Sequence, residues 1–270
     1  MPESPEVQAL AEFLSDNATR RRVEAVDIAE FRAQKTRDRP LATLVGARID
    51  RVRRFGKHVD IATDAGHLVV TFGRAGWARW NGDAAADDAP VIARIDLDGA
   101  VLEFTDGGDW LSLGLHVVDD PFEIPAIASL GPDPLDPEFD AAAFAAASFG
   151  RRKQLKALLQ EQESIAGIGN AYSDEILHVA RLSPTAHATA LDDVERARLL
   201  AAVTGVMRDA ACARRGIPLS QQKTAKVAAM RVHGRTGLTC PVCGGAVVDL
   251  PGSKAGAQYC PACQTDGTPL

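Results

Sequence analysis

The chain has 270 residues, 46% hydrophobic and 24% charged, which excludes a disordered or fibrous protein and leaves room for two modest domains. No run approaches the roughly 18 apolar residues of a membrane span, and the start lacks the basic and apolar regions of a secretory signal, so a cytoplasmic protein is expected. The net charge of -6 argues against a polyanionic partner, yet from Asp140 onward there are 15 Lys and Arg against 11 Asp and Glu, and before it 15 against 25.

The opening, MPESPEVQAL, reads as a helix start: Ser4 as N-cap, Pro5 in the first turn, and Val7, Leu10, Ala11 and Leu14 as the buried stripe. Pro2 and Glu3 have no part in that. A ragged terminus would account for them, and so would chemistry. With Met1 removed, Pro2 is a free secondary amine beside a carboxylate and can attack an electrophilic carbon.

From about Val23 to Val118 the text alternates apolar and polar residues between Gly and Asp turns, as in ARIDRVRRFGKHVDIATDAGHLVVTFGRAGW. A β-sandwich with the opening helix packed on it is expected. Bases cluster there at Arg48, Arg51, Arg53, Arg54 and Lys57, and again at Arg74 and Arg79. They form either a solvated face or a surface for phosphate.

DDPFEIPAIASLGPDPLDPEF carries five prolines and reads as a linker. Helical text follows from Asp140 to about Arg215. Within it, ESIAGIGNAYSDEIL sets Gly-Ile-Gly-Asn between two amphipathic helices, where backbone amides at a helix start can face an anion. Asn170 serves there as N-cap or offers its own amide to phosphate, with Arg151, Arg152, Lys153 and Lys156 just upstream. Cys212, in an apolar helical run, is expected as a small buried side chain.

Cys240, Cys243, Cys260 and Cys263 form C-x2-C-x16-C-x2-C, the spacing of a zinc ribbon. Disulfides are the alternative, but regular pairing in a cytoplasmic chain favours the metal. Four thiolates close the coordination sphere, so one zinc ion with a structural role is expected.

PESPEV, the RRFGK that ends at Lys57, LLQEQESIAGIGNAYSDEIL and the terminal CPVC…CPACQ follow one another in an order and spacing that span nearly the whole chain. Together they resemble the formamidopyrimidine-DNA glycosylase and endonuclease VIII family of base-excision repair enzymes. The resemblance implies an α+β fold: an N-terminal catalytic β-sandwich over residues 1–119, a linker over 120–139, a helix–two-turns–helix DNA-binding domain over 140–234 and a zinc finger over 235–270. It implies a DNA glycosylase with abasic-site lyase activity, a monomer in the nucleoid that binds damaged double-stranded DNA in the cleft between its domains, with no membrane association.

Residue by residue, Pro2 matches the amine that attacks C1′ of the damaged nucleotide. Glu3 matches the acid that protonates the sugar-ring oxygen, and Lys57 a lysine assigned to proton transfer or phosphate contact. Asn170 and Arg151 match positions that hold phosphates beside the extruded nucleotide, and Lys156 and Lys254 are expected to add to them.

The sequence also departs from the family. The usual Arg five residues before the third cysteine is Ala255, beside Lys254, so β-elimination is expected to outweigh δ-elimination. TFGRAG offers Arg74 where a void-filling Met is usual, and DGGDW replaces Asp-Pro-Arg-Arg-Phe, leaving Trp110 as the large wedge. GIPLSQQKTAKVAAMRVHGRTG is shorter than the loop that caps 8-oxoguanine. A catalytically silent DNA-binding relative, or an enzyme for bulky or crosslinked bases, is the alternative.

Overall fold

Alternating strands and striped helices divide the chain between two units in a computed structural model that describes residues 1–82, 88–148, 150–253 and 256–270. One unit is Met1–Ser129 with Arg214–Lys223; the other is Leu130–Ala213 with Thr224–Leu270. Among the described residues no helix is long and apolar enough to cross a membrane.

The first unit opens with α1 (Ser4–Ala18), which buries Val7, Leu10, Ala11, Leu14 and Ala18 on one stripe. Its N-cap is Glu3, not Ser4 as the sequence pattern implied. Glu3 and Glu6 cap the helix reciprocally, and the Glu3 N–H donates to Glu6 Oε2 at 3.0 Å. Ser4 Oγ is thereby released to donate to the Gly56 carbonyl at 3.0 Å.

Among the described residues eight strands follow: β1 (Val23–Ile28), β2 (Ile49–Phe55), β3 (His58–Thr63), β4 (Gly66–Thr71), β5 (Gly76–Trp80), β6 (Val91–Leu97), β7 (Ala100–Asp106) and β8 (Gly114–Val118). They form two four-stranded antiparallel sheets, ordered β1-β6-β7-β5 and β2-β3-β4-β8. Val52, Val59, Ile61, Leu68, Val70, Leu115 and Val117 of one sheet share a core with Ile95, Leu97, Leu102 and Phe104 of the other and with α1. That shared core makes the pair a sandwich.

The Pro-rich stretch expected as a linker carries structure of its own. Asp120 and Glu123 cap a short 3-10 turn at Pro121–Glu123, and α2 (Pro125–Ala128) follows. Ile124 and Ile127 are buried against Val69 and Val118 on the outer face of the second sheet. Leu219, from the returning segment, completes the sandwich core, and Trp77 Nε1 donates to its carbonyl at 2.9 Å.

The second unit contains α3 (Ala141–Ser148), α4 (Leu155–Gln160), α5 (Asn170–Ala180), α6 (Asp193–Arg214), α7 (Gln222–Ala229), the hairpin β9 (Val248–Asp249) and β10 (Gln258–Tyr259), and α8 (Pro261–Gln264). The last residue of α6 and the first two of α7 belong to the first unit. Leu155, Leu158, Leu159, Tyr172, Ile176 and Leu177 pack with Leu199, Val203 and Met207 in one core. Gly167, at φ +85°, turns the chain between α4 and α5.

Two further expectations are corrected in the second unit. The cap of α5 is the extended Gly169, which leaves Asn170 as the first helical residue. Cys212 is exposed, because the buried stripe of α6 runs through Leu199, Ala202, Val203, Met207 and Ala211 and turns the next residue outward.

Candidate functional site

The amino terminus is fixed by its neighbours along α1 and β2. Arg54 Nε donates to Gln8 Oε1 at 2.8 Å, and its Nη1 donates to Ser4 Oγ at 3.0 Å and to the Gly56 carbonyl at 2.9 Å. Ser4 Oγ donates to that same carbonyl. The start of α1 is thus bolted to the β2–β3 turn, where Gly56 has φ +52°. Pro2 and Glu3 lie just before Ser4, and Lys57 just after Gly56, so one lock holds all three at one corner of the sandwich. Glu3 is only 1% exposed, while Pro2 and Lys57 are half-buried.

Behind this corner, buried Arg214 lies 3.6 Å (Nε) from Oε1 of buried Glu6, the same carboxylate that accepts the Glu3 N–H. Arg215 makes a two-pronged contact with Glu12 of α1 at 3.0 and 3.1 Å. Beside Lys57, His58 Nδ1 is 2.8 Å from Thr71 Oγ1. Burial first, then the positive charges of His116 and Lys57, pull the His58 imidazole down to about 4, so it is neutral at neutral pH.

Arg74 and Trp110, far apart in sequence, sit on two loops joined through Ser112. The Asp106 carboxylate accepts the N–H groups of Gly108 (3.0 Å), Ser112 (2.7 Å) and Leu113 (2.9 Å) and the Ser112 hydroxyl (3.0 Å). Burial alone would raise its pKa, but those donors outweigh burial and hold it below the usual carboxylate value. Ser112 Oγ accepts the Arg74 N–H at 2.9 Å. This rigid base presents Trp110, 87% exposed, and an exposed Arg74.

In the second unit the expected phosphate contacts divide. Arg151 is exposed and bonded to Glu161 at 2.5 Å and Ser164 at 2.8 Å. Lys153 and Ser164 hydrogen bonds, with the Arg151 charge behind them, keep the Glu161 carboxyl below its ordinary range. Lys156 is turned inward. It is 8% exposed, and its ammonium donates to the Asn170 carbonyl (3.1 Å), Ser173 Oγ (2.9 Å) and Asp174 Oδ1 (2.5 Å), which uses its three N–H groups. Asn170 Nδ2 donates to the Gly256 carbonyl at 2.8 Å, and its Oδ1 accepts from Gln160 at 3.1 Å. Lys254 and Ala255 lie outside the described residues.

The four ribbon cysteines converge, with every Sγ within 4.8 Å of the others. Cys243 and Cys260 are 3.4 Å apart, Cys240 and Cys263 3.9 Å, and all are free thiols. A tetrahedral ion with metal–sulfur bonds of about 2.3 Å spaces its ligands about 3.8 Å apart, so the set fits a single metal ion. The Gly245 N–H donates to Cys243 Sγ at 3.4 Å, and this bond, ahead of the neighbouring thiols, lowers the Cys243 pKa to about 7.

Sequence reasoning placed Arg54 only in a basic cluster, and passed over Arg214, which with Arg54 supports the amino terminus, and Asp174 and His178 of the polar stripe of α5. Their only signal is position: Arg54 within RRFGK, Arg214 within CARRG, and polar residues four apart at Asn170, Asp174 and His178.

Residues 1–109 match the formamidopyrimidine-DNA glycosylase N-terminal domain, and residues 130–221 match the formamidopyrimidine-DNA glycosylase H2TH domain. With the sandwich and the four-thiol ribbon, these define a DNA repair glycosylase. A formamidopyrimidine-DNA glycosylase of Salinispora arenicola is 33% identical over 98% of this chain and 96% of its own length. One from Geobacter sulfurreducens is 32% identical over 98% and 100%. The crystal structure of MutM (Fpg) from Thermus thermophilus aligns with TM-score 0.83 at 30% identity, covering 99% of this chain and 100% of that one. A complex of Lactococcus lactis Fpg with DNA containing an abasic site shares the fold, with TM-score 0.85 at 22% identity over 97% and 99%. The chain belongs to the formamidopyrimidine-DNA glycosylase family.

Proposed function

We propose that this protein removes a damaged base from double-stranded DNA and then nicks the strand, using Pro2 as nucleophile. The observation that carries the reading is the Arg54–Ser4–Gly56 lock, which keeps Pro2 and Glu3 beside the turn bearing Lys57. Removal of Met1 makes the Pro2 nitrogen a secondary amine whose lone pair attacks C1′ of the nucleotide. The glycosidic bond breaks, the base leaves with a proton, and Glu3 protonates the ring oxygen as the sugar opens. The resulting iminium acidifies the C2′ proton; its loss expels the 3′ phosphate, and water frees the enzyme. Lys57 moves a proton or holds a phosphate in that step.

Arg151 and the start of α5 at Asn170 serve the flanking phosphates. Lys156, with its donors taken, holds that helix start in shape. Arg74 and Trp110, on their shared base, would fill the space left by an extruded base. Zinc bound by Cys240, Cys243, Cys260 and Cys263 would hold the ribbon folded and take no part in the chemistry. Ala255 in place of an arginine favours β-elimination products.

Processed protein should be trapped covalently by borohydride on abasic duplex DNA and should nick that strand. An uncleaved N-terminal tag should abolish both, because an amide nitrogen has no nucleophilic lone pair. Glu3→Gln should slow base removal more than nicking of a preformed abasic site. Neither trapping nor nicking by protein with Pro2 exposed would leave a silent DNA-binding relative.

A further inference from the structure

Asn170, Asp174 and His178 recur every fourth residue of α5 and so share one side of the helix. Each contacts a different part of the ribbon. Asn170 donates to the Gly256 carbonyl, Asp174 Oδ2 accepts the Gln258 N–H at 3.2 Å, and His178 Nε2 lies 3.3 Å from Cys240 Sγ. Glu175, beside the stripe, accepts the N–H groups of Arg231, Val232 and His233 at 2.9 Å each, fixing the approach to the ribbon.

The contact of His178 has no part in the chemistry above. The residue is 2% exposed, and its Nδ1 is buried with no hydrogen-bond partner among the described residues. A proton on Nδ1 would strand a buried donor and turn the Nε2 lone pair toward the sulfur lone pairs. A proton on Nε2 points the N–H at sulfur and leaves only an acceptor unpaired, the arrangement of lower cost.

We propose that His178 is a positioning residue that donates its Nε2–H to the Cys240 thiolate of the metal-loaded ribbon, retaining the metal and tying its site to the last turn of α5, the helix that starts at Asn170. The inference rests on the zinc reading above. A hydrogen bond to a thiolate is charge-assisted: it draws electron density from sulfur and makes that ligand harder to protonate, alkylate or displace. It also fixes the orientation of Cys240, the buried ligand of the first knuckle.

Zinc-loaded wild-type protein, His178→Phe and His178→Gln are compared by zinc release to excess chelator, read with a chromophoric reporter. Phe keeps the bulk and removes the donor, and should speed release about ten- to a hundredfold. Gln keeps an N–H and should recover part of the loss. If Phe distorts the packing, His178→Leu carries the same comparison. In the cobalt-substituted protein, His178→Phe should shift the sulfur-to-cobalt charge-transfer band while keeping four-thiolate intensity. Release within twofold of wild type, with an unchanged cobalt spectrum, would overturn the proposal. Wild-type protein without stoichiometric metal would overturn the zinc reading as well, so the two failures are distinct.

Discussion

Acid should destabilise the sandwich through His58. This imidazole lies on β3, nearly enclosed and held to about 4 by burial and then by the charges of His116 and Lys57. In the unfolded chain a histidine takes its proton near 6.5. Between those values the unfolded chain binds a proton that the folded chain refuses. The stability is therefore fully present above the unfolded value and is lost as pH falls toward the folded one. The gap corresponds to about 3 kcal/mol, of which about 2 kcal/mol is expressed at pH 5. Urea unfolding of wild type and His58→Asn at pH 7, 6 and 5 isolates the contribution. Asn can still bond to Thr71 Oγ1 but takes no proton. His116, also lowered by burial and then by Lys35, is common to both proteins and cancels. The variant should lose less stability on acidification by that margin. Parallel losses in the two proteins, or an NMR titration of His58 near 6.5, would refute the reasoning.

Removing the guanidinium of Arg214 with Arg214→Met takes a buried positive charge away from buried Glu6 and should cost about 3 kcal/mol in urea unfolding. Adding Glu6→Gln should recover most of that loss, because the carboxylate that faced Arg214 is then neutral. Gly73 has φ +55°, and a Cβ there would stand 2.4 Å from the Ser112 carbonyl oxygen. Gly73→Ala should therefore lower stability by about 1–3 kcal/mol in thermal unfolding, whereas Arg74→Ala on the adjacent exposed residue should leave it nearly unchanged.

What could be read from the sequence was local. Cys-x2-Cys pairs, a Pro-Glu start and strict alternation each state a geometry within a few residues, and the thiol cluster and the two sheets follow from them. Contacts that depend on distant partners were not legible. Lys156 looked like one base among four, and only the folded chain brings Asp174 and Ser173 to its ammonium. Ser4 looked like a cap until Gly56 claimed its hydroxyl and Glu6 paired with Glu3. The apolar run around Cys212 hid which residue of α6 faces out, since Ala, Val and Met fill so much of that helix. The proline stretch read as a linker because the burial of Ile124 and Ile127 depends on Val69 and Val118, which it cannot announce.

The return of Arg214–Lys223 to the first unit bears on how the protein is made. A ribosome delivers all eight strands long before Leu219 emerges, so the nascent sandwich waits with an unfilled place in its core and the Trp77 indole N–H unpaired. Closing so distant a contact adds little entropy cost but slows completion. A fragment cut after Ser129 would keep that gap permanently, and would be a poor stand-alone sandwich however well its strands pair.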